Sequence, residues 1–360
     1  VTGDYIGLLD HDDLLPKFSL YEVVKKINEN PDVEFIYTDE DKLEKKDGQR
    51  YGVFFKPDFS PYTLNSANYI CHFSIFKKEL MDKLGGFKRE YDGSQDYDIV
   101  ARASEITDKI EHIPKVLYHW RVHQNSTAGN SDSKPYAFEV GKKVIKDHIK
   151  RAYDIDVSVE DGLTPGSYEV KYLLKKEPKV SIIVDLDGVE KEKAEKIVQE
   201  IKITFKTEKD MPILEDLYNI LENDKNIEPK ENKTKFKTYS EAIKMAEGEY
   251  FIIFDKNLLS IDRKDYIERL LGICQNKNVA IVGTKLYNEQ ELLEHAGIIL
   301  GMNGVGDFLY KGAPKNIGTY MQRLTIIHNV SCVYIKYAMI SKKAYEEVNG
   351  FDEKEKGIFA

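Results

Sequence analysis

Excess basic charge, paired cysteines and long apolar runs are what this sequence lacks. Its formal net charge is -9, and without a basic footprint nucleic acid is not an expected partner. The three cysteines, Cys71, Cys274 and Cys332, are odd in number, scattered and without metal-ligand spacing. That excludes a disulfide framework and a zinc site, and fits free thiols in a reducing compartment. Apolar runs such as YFIIF at 250–254 fall far short of the roughly 18 residues a spanning helix needs, and no signal peptide opens the chain. The expected location is therefore the cytoplasm, with no transmembrane segment.

What is present reads as an ordinary globular composition, 32% charged over 360 residues, enough for about two domains with their own cores. Residue 1 is Val, placed just before a strand, so the chain reads as a fragment of something longer. The run from Tyr5 to Leu9 is short and apolar, a buried strand that stops at Asp10, His11, Asp12 and Asp13. Carboxylates crowded at a strand end repel one another unless a cation or hydrogen-bond donors relieve them. SLYEVVKKINENP at 19–31 has helical periodicity, and VEFIYTDED runs as a strand into a second acidic turn at Asp39, Glu40 and Asp41. YICHFSIF at 69–76 is expected as a short strand. Helices are expected from Lys77 to Leu84, stopped by Gly85 and Gly86, from Tyr97 to Ile106 and from Lys134 to Tyr153. Strands, helices and strand-end acids in this order are the layout of an α/β sheet with its ligand crevice at the strands' carboxyl ends. Residues 156–178 read as a turn-rich linker, and KVSIIVDLDG from Lys179 begins a second domain.

The chain repeats itself. AEGEYFIIFDKNLLS at 246–260 echoes VTGDYIGLLDHDDLL at an offset of 245, and KKAYEEVNGF at 342–351 echoes KKELMDKLGGF at 77–87 at an offset of 264. The difference leaves 19 extra residues between these landmarks in the second copy. There Asp10 is kept as Asp255, but Asp12 becomes Asn257, Asp13 becomes Leu258 and His11 becomes Lys256. Losing two acids and gaining a lysine weakens any hard divalent cation site.

GDYIGLLDHDDLLP, YTDEDKL, FKPDFSP, GGFKREYDGSQDYDIVARASE and IPKVLYHWRVHQNSTA, in that order, resemble the glycosyltransferase family 2 proteins that build bacterial cell-surface polysaccharides. VSIIV, EGEYFIIFDKN and HAGIILGMNGVG resemble a second such module. The resemblance implies a GT-A fold, a Rossmann-like mixed α/β sheet flanked by helices, in two related modules that are both incomplete. Residues 1–155 would be the C-terminal part of the first module, and 179–360 a degenerate, C-terminally truncated second one. It implies inverting transfer of a sugar from a nucleotide-sugar donor of the UDP or dTDP type to a growing glycan or lipid-linked acceptor. The location it implies is the cytoplasm, with peripheral association at the inner membrane face. Asp10, Asp12 and Asp13 would face the donor diphosphate, with Asp12 the ligand of Mg or Mn, because a hard cation offsets charge on a leaving diphosphate.

Asp96 in GSQDYD maps onto the family's general base, beside Gln95 as a sugar contact, although an Asp opening a helix also reads as a cap. Arg121 is expected at the diphosphate, since a guanidinium matches phosphate oxygens. His119 and His123 read equally as diphosphate contacts or as packed histidines, and Asp39 and Asp41 equally as sugar contacts or a solvated turn. The alternative function is a non-catalytic glycan or nucleotide-sugar binding protein, the fate expected of the second module. A nucleotidyltransferase would also use strand-end acids and Mg, but no Gly-rich basic phosphate loop is visible.

Overall fold

The computed structural model describes residues 2–44, 48–122, 135–186, 188–204, 217–220, 235–236, 239–315, 317 and 319–351. These form two units, one running to Lys171 and taking in a stretch that ends at Asn329, the other beginning at Tyr172.

In the first unit the elements are β1 (Tyr5–Gly7), α1 (Ser19–Glu29), β2 (Phe35–Glu44), β3 (Arg50–Phe54), α2 (Pro61–Leu64), β4 (Ser74–Lys77), α3 (Lys78–Leu84), α4 (Gln95–Ile106), β5 (Ile110–Val122) and α5 (Pro135–Tyr153). Two further strands, β6 (Val157–Asp161) and β7 (Tyr168–Tyr172), pair with each other. The main sheet has the order β1-β4-β2-β3, with β5 also on β2. β5 runs parallel to β2 while the other pairings are antiparallel, so the sheet is mixed. α1 forms because Val23 and Ile27, four apart, share one face. That face packs on Val33, Ile36, Phe73, Ile75, Ile113 and Leu117.

Several expectations shift. The strand predicted for Tyr5–Leu9 is only three residues long and half-buried, because β1 pairs with β4 alone and nothing covers its other edge among the described residues. The predicted acidic turn at Asp39–Asp41 is instead the middle of the ten-residue β2, with all three acids buried. Cross-strand cations and imidazoles make that burial possible, and a one-dimensional reading does not see them. β4 occupies only the end of the stretch predicted as a strand. The span expected as a linker carries β6 and β7. α3 and α4 form within two residues of their predicted starts, and Gly85 and Gly86, at φ of 71° and 69°, close α3. The left-handed turn is one that glycine adopts without a Cβ penalty.

The second unit contains β8 (Val180–Asp185), α6 (Lys191–Thr204), β9 (Leu217–Ile220), β10 (Lys235–Phe236), α7 (Tyr239–Met245), β11 (Tyr250–Asp255), α8 (Tyr266–Cys274), β12 (Ile281–Val282), the paired strands β13 (Leu286–Tyr287) and β14 (Leu293–His295), the paired strands β15 (Ile298–Leu300) and β16 (Gly306–Phe308), then β17 (Met339–Ser341) and α9 (Lys342–Glu347). Its sheet has the order β10-β9-β8-β11-β17-β12, parallel except where β17 enters. Here β11 is central, paired with β8 and with β17, and Phe251, Ile252, Ile253 and Phe254 are fully buried.

The sequence repeat is also a structural one. β1 pairs with β4 as Tyr5↔Lys77, Ile6↔Phe76 and Gly7↔Ile75, and β11 pairs with β17 as Tyr250↔Ser341, Phe251↔Ile340 and Ile252↔Met339. These are the same partners under the offsets of 245 and 264. The Lys78 N–H donates to the Asp4 carbonyl at 2.7 Å, and the Lys342 N–H to the Glu249 carbonyl at 3.0 Å, again equivalent positions. Register is set by which side chains face the core, so two copies with different core residues have kept one pairing.

Candidate active site at a strand end

The chain leaving β1 turns at once, with the Asp13 N–H on the Asp10 carbonyl at 3.2 Å, and Leu14 then bridges to His119 of β5 by two backbone hydrogen bonds. This places the acidic tip beside the end of β5. Asp10 is exposed, Asp12 partly buried and Asp13 buried. The Tyr118 hydroxyl donates to Asp13 Oδ2 at 2.5 Å, and the Arg121 backbone N–H to Oδ1 at 2.7 Å. Burial raises the Asp13 pKa in spite of these two donors, and the Tyr118 hydroxyl is pushed far up by burial and by that carboxylate.

One ligand atom each from Asp10, Asp13 and His72 lies within 4.8 Å of the others. His72 was missed by the sequence reading, and Asp12, expected as the metal ligand, is outside the cluster. Asp12 departs because its neighbour Asp13 is the residue turned inward onto Tyr118. The His72 ring stacks on Tyr118 at 4.6 Å and meets Trp120 edge-on at 5.6 Å. Its backbone is held as well: the His72 N–H donates to Glu40 Oε2 at 3.1 Å, and the Lys56 ammonium donates to Glu40 Oε2 at 3.0 Å, to the Ile70 carbonyl at 2.5 Å and to the His72 carbonyl. Lys56 is completely buried. Two carboxylates and an imidazole suit a first-row divalent cation such as Mn better than a softer metal. The carboxylate that burial disfavours would gain most from one.

Asp96 is the second residue of α4, so the cap position belongs to Ser94 instead. Its Oδ2 accepts from Asn68 Nδ2 at 2.8 Å and from the Cys71 thiol at 3.8 Å. Cys71 is the residue before His72, so the predicted base and the cation cluster are joined by one short loop. Gln95 is exposed and accepts the Gly93 N–H at 2.9 Å. Asp98 is fully buried and receives two Arg102 hydrogen bonds at 2.9 and 2.6 Å. The same guanidinium donates to the carbonyls of Leu84 and Gly86. Asp98 is thus structural.

The remaining expected residues divide. Arg121 does approach the acids, but its Nε donates to the Asp12 carbonyl at 2.5 Å. His119 lies on β5, with Nδ1 2.5 Å from Asp41 Oδ1. Asp41 also receives Arg50 Nε at 2.7 Å. Asp39 accepts the Lys56 N–H at 2.9 Å and sits 2.9 Å from His112 Nε2. Asp39 and Asp41 are therefore held by internal partners and are not a solvated turn. His123 lies outside the described residues.

At the equivalent place in the second unit, Asp255 is buried. It accepts from Lys336 Nζ at 3.0 Å, from the Asn257 N–H at 2.8 Å and from the Tyr337 hydroxyl. Burial opposes its ionisation, but the Tyr337, Asn257 and Lys336 contacts prevail and its pKa is lowered.

A mixed α/β sheet that delivers acids at a strand's carboxyl end, with a further carboxylate at a neighbouring helix start, defines the GT-A class of fold. Residues 1–85 match the family model for glycosyl transferase family 2. It is 32% identical over 372 residues to an uncharacterized protein, y4gI, of Sinorhizobium fredii, covering 98% of this chain and 40% of that protein. It is 27% identical over 372 residues to the O-antigen biosynthesis protein RfbC of Myxococcus xanthus, covering 98% and 28%. With the chondroitin synthase of Pasteurella multocida it shares 26% over 231 residues, covering 62% and 23%. The chain thus spans less than half the length of each of these relatives. A solved structure of S. aureus TarS 1–349 in complex with UDP matches at 16% identity and a TM-score of 0.32 over 42% of each chain. No helix among the described residues is long and apolar enough to cross a membrane.

Proposed function

We propose that the first unit performs an inverting, metal-dependent transfer of a sugar from a nucleotide-sugar donor to a growing surface glycan. The observation that carries this reading is the short loop joining Asp96, through Asn68 and Cys71, to His72 of the Asp10, Asp13 and His72 cluster. When bound there, Mg or Mn would offset the charge that builds on a leaving diphosphate. Asp10, Asp13 and His72 would hold it, and Tyr118 and the Arg121 N–H keep Asp13 aimed inward. Asp96 takes the proton of the acceptor hydroxyl, and the Asn68 amide and the Cys71 thiol hold its Oδ2. Two of the relatives, an O-antigen biosynthesis protein and a chondroitin synthase, support a glycan as acceptor.

The same reading treats the chain as two related modules, with the second a non-catalytic copy. It places the protein at the cytoplasmic side of the membrane, a setting supported by three free cysteines and tested by fractionation. The decisive experiment assays transfer and donor hydrolysis with UDP- and dTDP-sugars across a Mn titration, in parallel with Asp13→Asn, His72→Ala and Asp96→Asn. The expected result is Mn-dependent turnover lost in all three variants. Turnover unchanged by EDTA and by Asp96→Asn overturns the reading.

A further inference from the structure

We propose that the strand-end site of the second unit carries its own cation, the Lys336 ammonium, in the place that a divalent ion would take in the first, and that it therefore binds no metal. The inference extends the reading of the first unit as a metal site.

The equivalence comes from register. Under the offset of 264 that relates β4 to β17, Lys336 stands at the position of His72 and Tyr337 at that of Phe73. Under the offset of 245, Asp255 stands for Asp10 and Leu258 for Asp13. Of the three ligand residues of the first unit, the second keeps one carboxylate, replaces one by an apolar side chain and replaces the imidazole by an ammonium.

The geometry shows what the ammonium does. Asp255 and Asp185 are directly paired residues at the ends of the parallel strands β11 and β8. Two carboxylates at adjacent strand ends repel, and Asp255 is 5% exposed at its side chain, where water screens little. Lys336 Nζ lies 3.0 Å from Asp255 Oδ2 and 3.9 Å from Asp185 Oδ2, bridging the two. The Tyr337 hydroxyl and the Asn257 N–H take up Asp255 Oδ1, and the Tyr239 hydroxyl donates to Asp185 Oδ2 at 2.5 Å. A divalent cation entering here would meet a fixed positive charge and only two carboxylates already engaged. A covalently tethered ammonium costs no binding entropy and is not removed by chelation, so the second unit keeps its strand end neutralised with no ion supplied.

Two measurements on the whole chain test this with Mn alone as probe. Isothermal titration gives the number of Mn ions bound by the wild type and by the L258D/K336H double variant, which restores the first unit's ligand types. The expected result is one more ion in the double variant, a difference that holds even if the first unit of the wild type binds none, so failure of the first-unit reading stays separable. A wild-type site that Asp255→Asn removes overturns the proposal, as does no added ion in a folded double variant. The second measurement needs no new site: Lys336→Met is expected to lower the melting temperature, and Lys336→Met/Asp255→Asn to recover part of the loss. An unchanged melting temperature in Lys336→Met shows that the ammonium neutralises nothing and overturns the proposal.

Discussion

At equivalent strand ends the two units solve one electrostatic problem in opposite ways. The first keeps Asp10, Asp12 and Asp13, buries only Asp13, and places an imidazole opposite, so its tip is negatively charged and open to solvent at Asp10. The second keeps one acid, buries it and closes it with an ammonium and two further donors. The apolar strand and its register are common to both. The charged side chains at the tip differ while the strand register is kept, which teaches that the pairing does not depend on which charges stand there.

The largest expected effect follows from that contrast in activity. A positioned general base is worth about 10²–10⁴ in rate, so Asp96→Asn should reduce turnover by that factor while leaving Mn binding in place. Asp255→Asn should leave turnover within about twofold, because the partners of Asp255 among the described residues, Asn257, Lys336 and Tyr337, belong to the second unit. Transfer assays on both variants check this, and comparable losses would erase the functional distinction between the copies.

Stability of the loop that carries His72 gives the next effect. Lys56 is wholly buried against Glu40. Removing one partner of a buried pair leaves an uncompensated charge, at a cost of about 3–5 kcal/mol. Lys56→Met is therefore expected to destabilise the first unit by that amount and to weaken Mn binding. A Lys56→Met/Glu40→Gln double variant should recover much of it, as read by urea denaturation.

Acid separates the units again. His295 is buried with one ring nitrogen unpartnered, and burial lowers its pKa to about 4 from 6.5. The unfolded chain then binds a proton that the folded one refuses between those values, so stability is lost as pH falls from about 6.5 toward 4. The shift corresponds to about 3 kcal/mol. His295→Asn, whose amide oxygen can still accept the Tyr334 N–H, should flatten that slope in denaturation midpoints. Asp13 has the reverse sign: burial raises its pKa, so its share of stability is fully present in acid and is lost as pH rises through the raised value.

How much of this was legible in the sequence depends on the range of the forces involved. The α3 helix and its glycine stop are written in local residues, and so are legible there. The repeat was visible because apolar periodicity and the Gly–Tyr–Asp landmarks survive in both copies. The burial of Asp39, Glu40 and Asp41 was not, because the partners that make it possible come from elsewhere in the fold, Arg50 from β3, Lys56 from the segment after it, and His112 and His119 from β5. His72 was hidden for the same reason: within YICHFSIF it is a single histidine, and only the turn before β4 brings it to Asp10 and Asp13. The signal that would have found it is the alignment of the repeat itself, where a histidine faces a lysine at the offset of 264.

The smallest effect tests the shared scaffold rather than the difference. Gly85 ends α3 at φ 71°, and the second unit puts Asn349 at the equivalent place with φ 63°. Asparagine tolerates the left-handed region better than other residues with a Cβ, and no heavy atom lies within 4 Å of where a Gly85 Cβ would sit. Gly85→Asn should thus cost less than about 1 kcal/mol, and Gly85→Ala about 1–2 kcal/mol. Denaturation of the two variants side by side gives the ranking. If alanine proved the milder change, the equivalence of Gly85 and Asn349 as interchangeable helix stops would fail, although the strand register relating the two copies would stand.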